Sequence, residues 1–328
     1  MNPADLPRTV AHAVRCAVED GELGGELGGE PVGVPSERVV VERTRPGGVG
    51  DYASPVAFQI AKATRMRPAD VAAVLARRLS GVPGIERVEV TGPGFVNFVL
   101  PALSAPRVIR SVSLPSYATT DPDPDDPGPA SQAPGLRERA VRAAVVRIQR
   151  TQGPPPYDAP GTPAAPLAPR DGDAVARYGA DAVLWAVLAV PARETPAFSD
   201  RLLVQGEDSE FFRVRYAHSR SRALLRNARD LGFEPAVGEV DDAPALLRVL
   251  ADHPLVLEAA AHHRAPERLV RHLVELADAL LDFQYRVLPQ GDEKPSAAHR
   301  ARLALAEAAG TVLAGGLALL GMDAPERL

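Results

Sequence analysis

Between Pro101 and Asp171 the chain loses the hydrophobic periodicity that runs through the residues on either side, and this gap limits what the whole can fold into. The run Thr119-Thr120-Asp121-Pro122-Asp123-Pro124-Asp125-Asp126-Pro127 is acidic, proline-rich and without apolar anchors. Such a composition cannot bury enough surface to offset its ordering entropy. Pro154 to Pro169 is again proline-rich, and Leu136 to Gln152 reads as one basic helix. The expectation is an interdomain linker over 101–171 that carries one helix and separates two parts, 1–100 and 172–328. With 328 residues, each part can bury a core of its own.

The first part mixes helix and strand. Leu6, Val10, Ala13, Val14, Ala17 and Val18 recur at helical spacing, and Gly21, Gly24, Gly25, Gly28 and Gly29 then break the pattern into a glycine-rich loop. Arg38 to Arg43 reads as a strand, and the stretches after Ser54 and after Pro68 each read as a helix with a start signal. Ile85 to Thr91 and Phe95 to Leu100 flank Gly92-Pro93-Gly94, the pattern of a β-hairpin. The second part reads as helix almost throughout: 174–189, 209–231, 243–251, 254–263, 266–287 and 296–320. The predicted fold class is α+β: a small N-terminal α/β domain followed by an all-α helical bundle.

Bulk properties exclude several classes. A formal net charge of −5 and a pI near 5.9 argue against a surface coated in positive charge, so any RNA contact must be a local patch. One cysteine, Cys16, allows no intramolecular disulfide and no cysteine-rich metal site. The first fifteen residues lack the charged-then-apolar order of a secretory signal. The uninterrupted apolar stretches 182–191 and 311–322 fall short of the roughly 20 residues that span a bilayer. The expected location is the cytoplasm, with no membrane partner.

Two stretches decide what the chain is similar to. Gly50-Asp51-Tyr52-Ala53-Ser54-Pro55-Val56-Ala57-Phe58-Gln59-Ile60-Ala61, followed by Val88-Glu89-Val90-Thr91-Gly92-Pro93-Gly94-Phe95-Val96-Asn97-Phe98, resembles the N-terminal additional domain of arginyl-tRNA synthetases. Tyr178-Gly179-Ala180-Asp181-Ala182, then Phe211-Phe212-Arg213-Val214-Arg215-Tyr216-Ala217-His218-Ser219-Arg220, and finally Leu319 to Leu328, resemble the DALR-type anticodon-binding domain of the same enzymes. In that family a class I catalytic domain of doubly wound parallel sheet lies between these parts, with a His-Ile-Gly-His type motif and a lysine-rich loop. Here the interval is too short and too proline-rich for such a sheet. None of the seven histidines stands in an HxGH pattern, and Lys62 and Lys294 are the chain's two lysines. Two departures bear on the anticodon: Val183-Leu184 stands where the motif has Leu-Arg, and Leu328 where the family ends in Met.

The resemblance also supplies candidate site residues. Val96, Phe98 and Leu100 alternate with Phe95, Asn97 and Val99, so if the first set packs on helices, Phe95 and Asn97 look outward. In the resembling enzymes this strand meets an unstacked base at the tRNA elbow, ring on base face and amide on base edge. Without the resemblance, a core Phe95 and an edge Asn97 are the more ordinary reading. At 100° per residue, Val214, Ala217, Ser221, Leu224, Ala228 and Leu231 share one sector of a helix. Arg215, Arg222, Arg226 and Arg229 fall nearly opposite, flanked by His218, a face that could pair with phosphates or be merely solvated. Glu258 with His262-His263 is a weak metal signal, because adjacent helical residues point about 100° apart. Trp185 reads as core. The expectation is therefore a non-catalytic tRNA-binding protein without cofactor or metal. The second reading is an interaction module that binds a synthetase or an enzyme using charged tRNA.

Overall fold

Helical spacing of apolar residues builds the first layer of the N-terminal unit: Leu6, Val10, Ala13, Val14 and Ala17 of α1 (Leu6–Glu19) are buried, and α1 packs on α3 (Pro68–Leu79). The computed structural model describes residues 1, 3–23, 39–45, 47–112, 135–153, 163–168 and 171–328, divided into two units, Met1–Leu103 and Ser104–Leu328. In the first unit, β1 (Glu42–Arg43), β2 (Tyr52–Ser54), β3 (Arg87–Thr91) and β4 (Phe95–Val99) form an antiparallel sheet in the order β1-β2-β4-β3. The predicted hairpin is present, with Val90 opposite Val96 and Thr91 opposite Phe95. Val96 and Phe98 of β4 are fully buried, in contact with α2 (Val56–Thr64) and α3. Gly94 has φ 155°, and a Cβ there would meet the Pro68 carbonyl at 3.0 Å, so the hairpin turn lies directly on the start of α3. Asp51 ties off β4 by accepting from the Leu100 N–H at 3.0 Å.

The second unit is helical: α4 (Ala105–Val112), α5 (Leu136–Arg150), α6 (Ala174–Tyr178), α7 (Ala180–Leu188), α8 (Glu210–Asp230), α9 (Pro244–His263), α10 (Pro266–Phe283) and α11 (Ala297–Leu319). Its centre is α8, α10 and α11 packed on one another, with α9 against α10. Gly310 of α11 faces Ser221 of α8 so closely that an added Cβ would collide with the Ser221 hydroxyl. Ser296 starts α11 with a reciprocal capping box to His299. By length and composition α11 could cross a membrane, yet 72% of its most apolar window is buried inside the bundle.

Several boundaries differ from the sequence expectation, each for a packing reason. α4 lies in the expected linker but buries Ala105, Val108, Ile109 and Val112 against α9 and α11. α5 belongs to the same unit, and its buried Arg137 donates to the Ala165 carbonyl at 3.0 Å and the Pro191 carbonyl at 2.9 Å. Those bonds hold part of the proline-rich segment onto the bundle. The helix read over 174–189 is broken at Gly179 (φ 82°), while the two helices read around Pro254 are one, because packing outweighs the backbone bond that proline cannot make. The strand read over 38–43 is present as Glu42–Arg43. Residues 24–38, including most of the glycine-rich loop, and the acidic run at 119–127 lie outside the described residues.

Candidate nucleic-acid interface

Alternation along β4 places Phe95 and Asn97 on the face away from Val96 and Phe98, with different surroundings. Phe95, 41% exposed at the hairpin end, meets Phe58 of α2 edge-on with centroids 5.1 Å apart. Asn97 does not look outward as expected: only 4% of it is accessible, because β4 is an inner strand flanked by Ala53 and Glu89. Its Nδ2 donates to Thr91 Oγ1 at 2.7 Å, with longer contacts to the Glu89 and Phe95 carbonyls at 3.4 Å. Its Oδ1 makes no hydrogen bond among the described residues, and a carboxamide oriented in this way presents an acceptor.

On α8 the predicted apolar sector is buried, apart from Leu231, which is 52% exposed just past the helix end. Burial extends further than predicted, to Phe211, His218, Ser219 and Leu225, because α8 is covered by α10, α11 and the segment after α11. That segment runs across the expected basic face. His218 Nδ1 donates to the Pro325 carbonyl at 3.0 Å, Ser219 Oγ to the Glu326 carbonyl at 3.2 Å, and Arg222 to the Glu326 carboxylate at 2.9 Å. Arg226 reaches the Glu326 carbonyl at 3.5 Å, and Arg229 lies 3.6 Å from Glu234. Arg215 stands apart from this group, its guanidinium 5.2 Å from the Phe211 ring centre. Of the five predicted residues, His218, Arg222 and Arg226 thus meet the segment after α11, and His218 is buried beneath it. Burial pushes the His218 pKa down, assisted by the charge of Arg222 and opposed by its bond to Pro325.

At the foot of this arrangement Asp181, in the first turn of α7, accepts from the Asp323 backbone N–H. Burial nevertheless pushes its carboxyl pKa up, against the effects of that bond and of Arg215. Sequence reading missed an aromatic pair on α8: Phe212 and Tyr216 stack with centroids 5.7 Å apart, and Tyr216 is 39% exposed. The i, i+4 spacing of two rings off the apolar sector was the signal available. Nearby, Arg220 donates to Gln284 Oε1 at 2.5 Å, next to Tyr285, which is 68% exposed. The His262 and His263 rings stand 83° apart, and no group of three His, Cys, Asp or Glu side chains suited to a metal ion occurs among the described residues.

Comparison with known families joins the two regions. Residues 8–100 match the arginyl tRNA synthetase N terminal domain, and residues 214–328 match the DALR anticodon binding domain. The chain is a relative of the arginyl-tRNA synthetases. Two solved structures share its fold: the Thermus thermophilus arginyl-tRNA synthetase (TM-score 0.60, 15% identity, 98% of this chain and 100% of that one covered) and the Plasmodium falciparum enzyme (TM-score 0.55, 9% identity, 98% and 99% covered). Within this relative, Leu184 has an evident packing reason to replace the motif's arginine. It lies against an apolar cluster of Ala140, Ala174, Val183 and Val187, together with Leu136, Leu167 and Phe198.

Proposed function

We propose that this relative of the arginyl-tRNA synthetases is a non-catalytic tRNA-binding protein, whose N-terminal unit meets the tRNA elbow through the exposed ring of Phe95, with the largely buried Asn97 behind it, and whose helical unit meets the anticodon arm through α8. The observation that carries the reading is the presence of both tRNA-facing domains with only residues 101–213 between their matched stretches. The described part of that interval is helical or irregular, and every described strand precedes Leu100. An exposed ring beside a carboxamide acceptor suits an unstacked base, and Arg222, Arg226 and Arg229 suit phosphates. Tyr216 adds a second exposed ring on α8.

Filter binding with unfractionated tRNA tests this, and affinity no better than that of an unrelated acidic protein would falsify it. Formation of arginyl-tRNA in the presence of ATP and arginine would overturn the non-catalytic part alone. One observation favours the second reading, a protein-binding module: Arg222 and Arg229 already face carboxylates in a chain of net charge −5. A pull-down that retains a synthetase or a user of charged tRNA after nuclease treatment, without tRNA affinity, would select it.

A further inference from the structure

We propose that Lys62 and Arg65 hold backbone phosphates beside a nucleobase stacked on Phe95, which makes the end of α2 and the tip of the β3–β4 hairpin one nucleotide site. This rests on the tRNA-binding reading above and adds to it the residues that grip the backbone.

Two contacts of the hairpin bracket the end of α2: Phe95 lies on Phe58, and Gly94 lies on Pro68. Lys62 follows Phe58 by one helical turn, on the same side of α2. Arg65 caps the helix in the left-handed conformation, φ 57°, and turns the chain toward Pro68. Both cations therefore sit on the stretch of chain that borders the exposed ring, and both are themselves exposed.

No acidic residue occurs from Val56 to Ala69, and the next one, Asp70, is held by Arg67 through two bonds of 2.8 Å. Elsewhere in this unit Arg77 pairs with Glu22, Arg78 with Asp20 and Glu22, and Arg87 with Glu89. Lys62 and Arg65 have no acidic partner among the described residues. In a chain with an excess of acid, two uncompensated cations beside an exposed aromatic ring form the combination that single-stranded nucleic acid requires, a stacking platform with a positive border.

The test uses the full chain and unfractionated tRNA between about 50 and about 200 mM salt. Lys62→Gln with Arg65→Gln is expected to weaken binding severalfold and to lower the slope of log affinity against log salt by about 1.4, two phosphates at about 0.7 each. Arg8→Gln with Arg15→Gln removes the same charge from α1 and is expected to change little. Acylation of surface amines gives a second readout, because Lys62 and Lys294 are the two lysines and both are exposed. Bound tRNA should protect Lys62 and leave Lys294 reactive. If Phe95→Ala weakens binding while the Lys62/Arg65 variant matches the α1 control and Lys62 stays reactive, the inference fails and the tRNA-binding reading stands. If the unmodified chain binds no tRNA, both fall.

Discussion

Phe95 and Asn97 sit two residues apart on one strand face, yet substitution should separate them cleanly. Phe95 is partly exposed and its main packing contact is the edge-on pair with Phe58, so Phe95→Ala should cost about 0.5–1 kcal/mol in urea unfolding. The same substitution should lower tRNA affinity by about 1–3 kcal/mol, the usual range for one stacked base. Asn97→Ala should also destabilise the protein, by about 1–2 kcal/mol, since it removes the bond to Thr91 and leaves that inner-strand position underfilled. Equal loss of stability in the two variants would contradict this division. The two-residue alternation in the sequence gives the face, whereas burial depends on which strands lie alongside, and β2 comes from more than forty residues earlier.

Among the elements, α8 carries the candidate anticodon-arm face and also holds the segment after α11. The Arg222–Glu326 pair is largely exposed, so Glu326→Gln should change stability by less than about 1 kcal/mol. By releasing Arg222 it should raise tRNA affinity, by up to about fivefold on the same energy scale. A fall in affinity would count against phosphate binding at Arg222. Buried histidines of the helical unit, His218 under this face and His253 on α9 beside His272 of α10, make stability depend on pH. His218 and His253 both have folded-state pKa values pushed below the ordinary value of about 6.5, chiefly by burial. Protons then bind preferentially to the unfolded chain, so this contribution is complete above about pH 6.5 and is lost as pH falls through the lower folded values. Thermal melts between about pH 7 and about pH 5 should show this loss, and His218→Gln should flatten part of it. Gly310→Ala tests the close approach of α11 to α8, with an expected cost of about 1–3 kcal/mol in chemical unfolding.

At the scale of the whole molecule, the proposed contact of both units with one tRNA through separate surfaces predicts independent energies. Phe95→Ala combined with Arg222→Ala and Arg226→Ala should therefore weaken binding by the sum of the separate losses, within about 0.5 kcal/mol. An affinity that one unit's substitutions abolish, with no effect from the other's, would confine binding to that unit. The amino-acid order by itself determined the α+β class, the hairpin, the apolar sector of α8 and the kinship of both ends with the arginyl-tRNA synthetases. Those features rest on local periodicity, turn residues and contiguous motifs. Only the tertiary structure decided that α4 and α5 belong to the bundle, that Asn97 is buried, that Glu326 lies on the α8 arginines and that the hairpin meets the end of α2 through Phe95 on Phe58 and Gly94 on Pro68. Each of these depends on residues far apart in the chain, and contact between them is set by packing that no local spacing encodes.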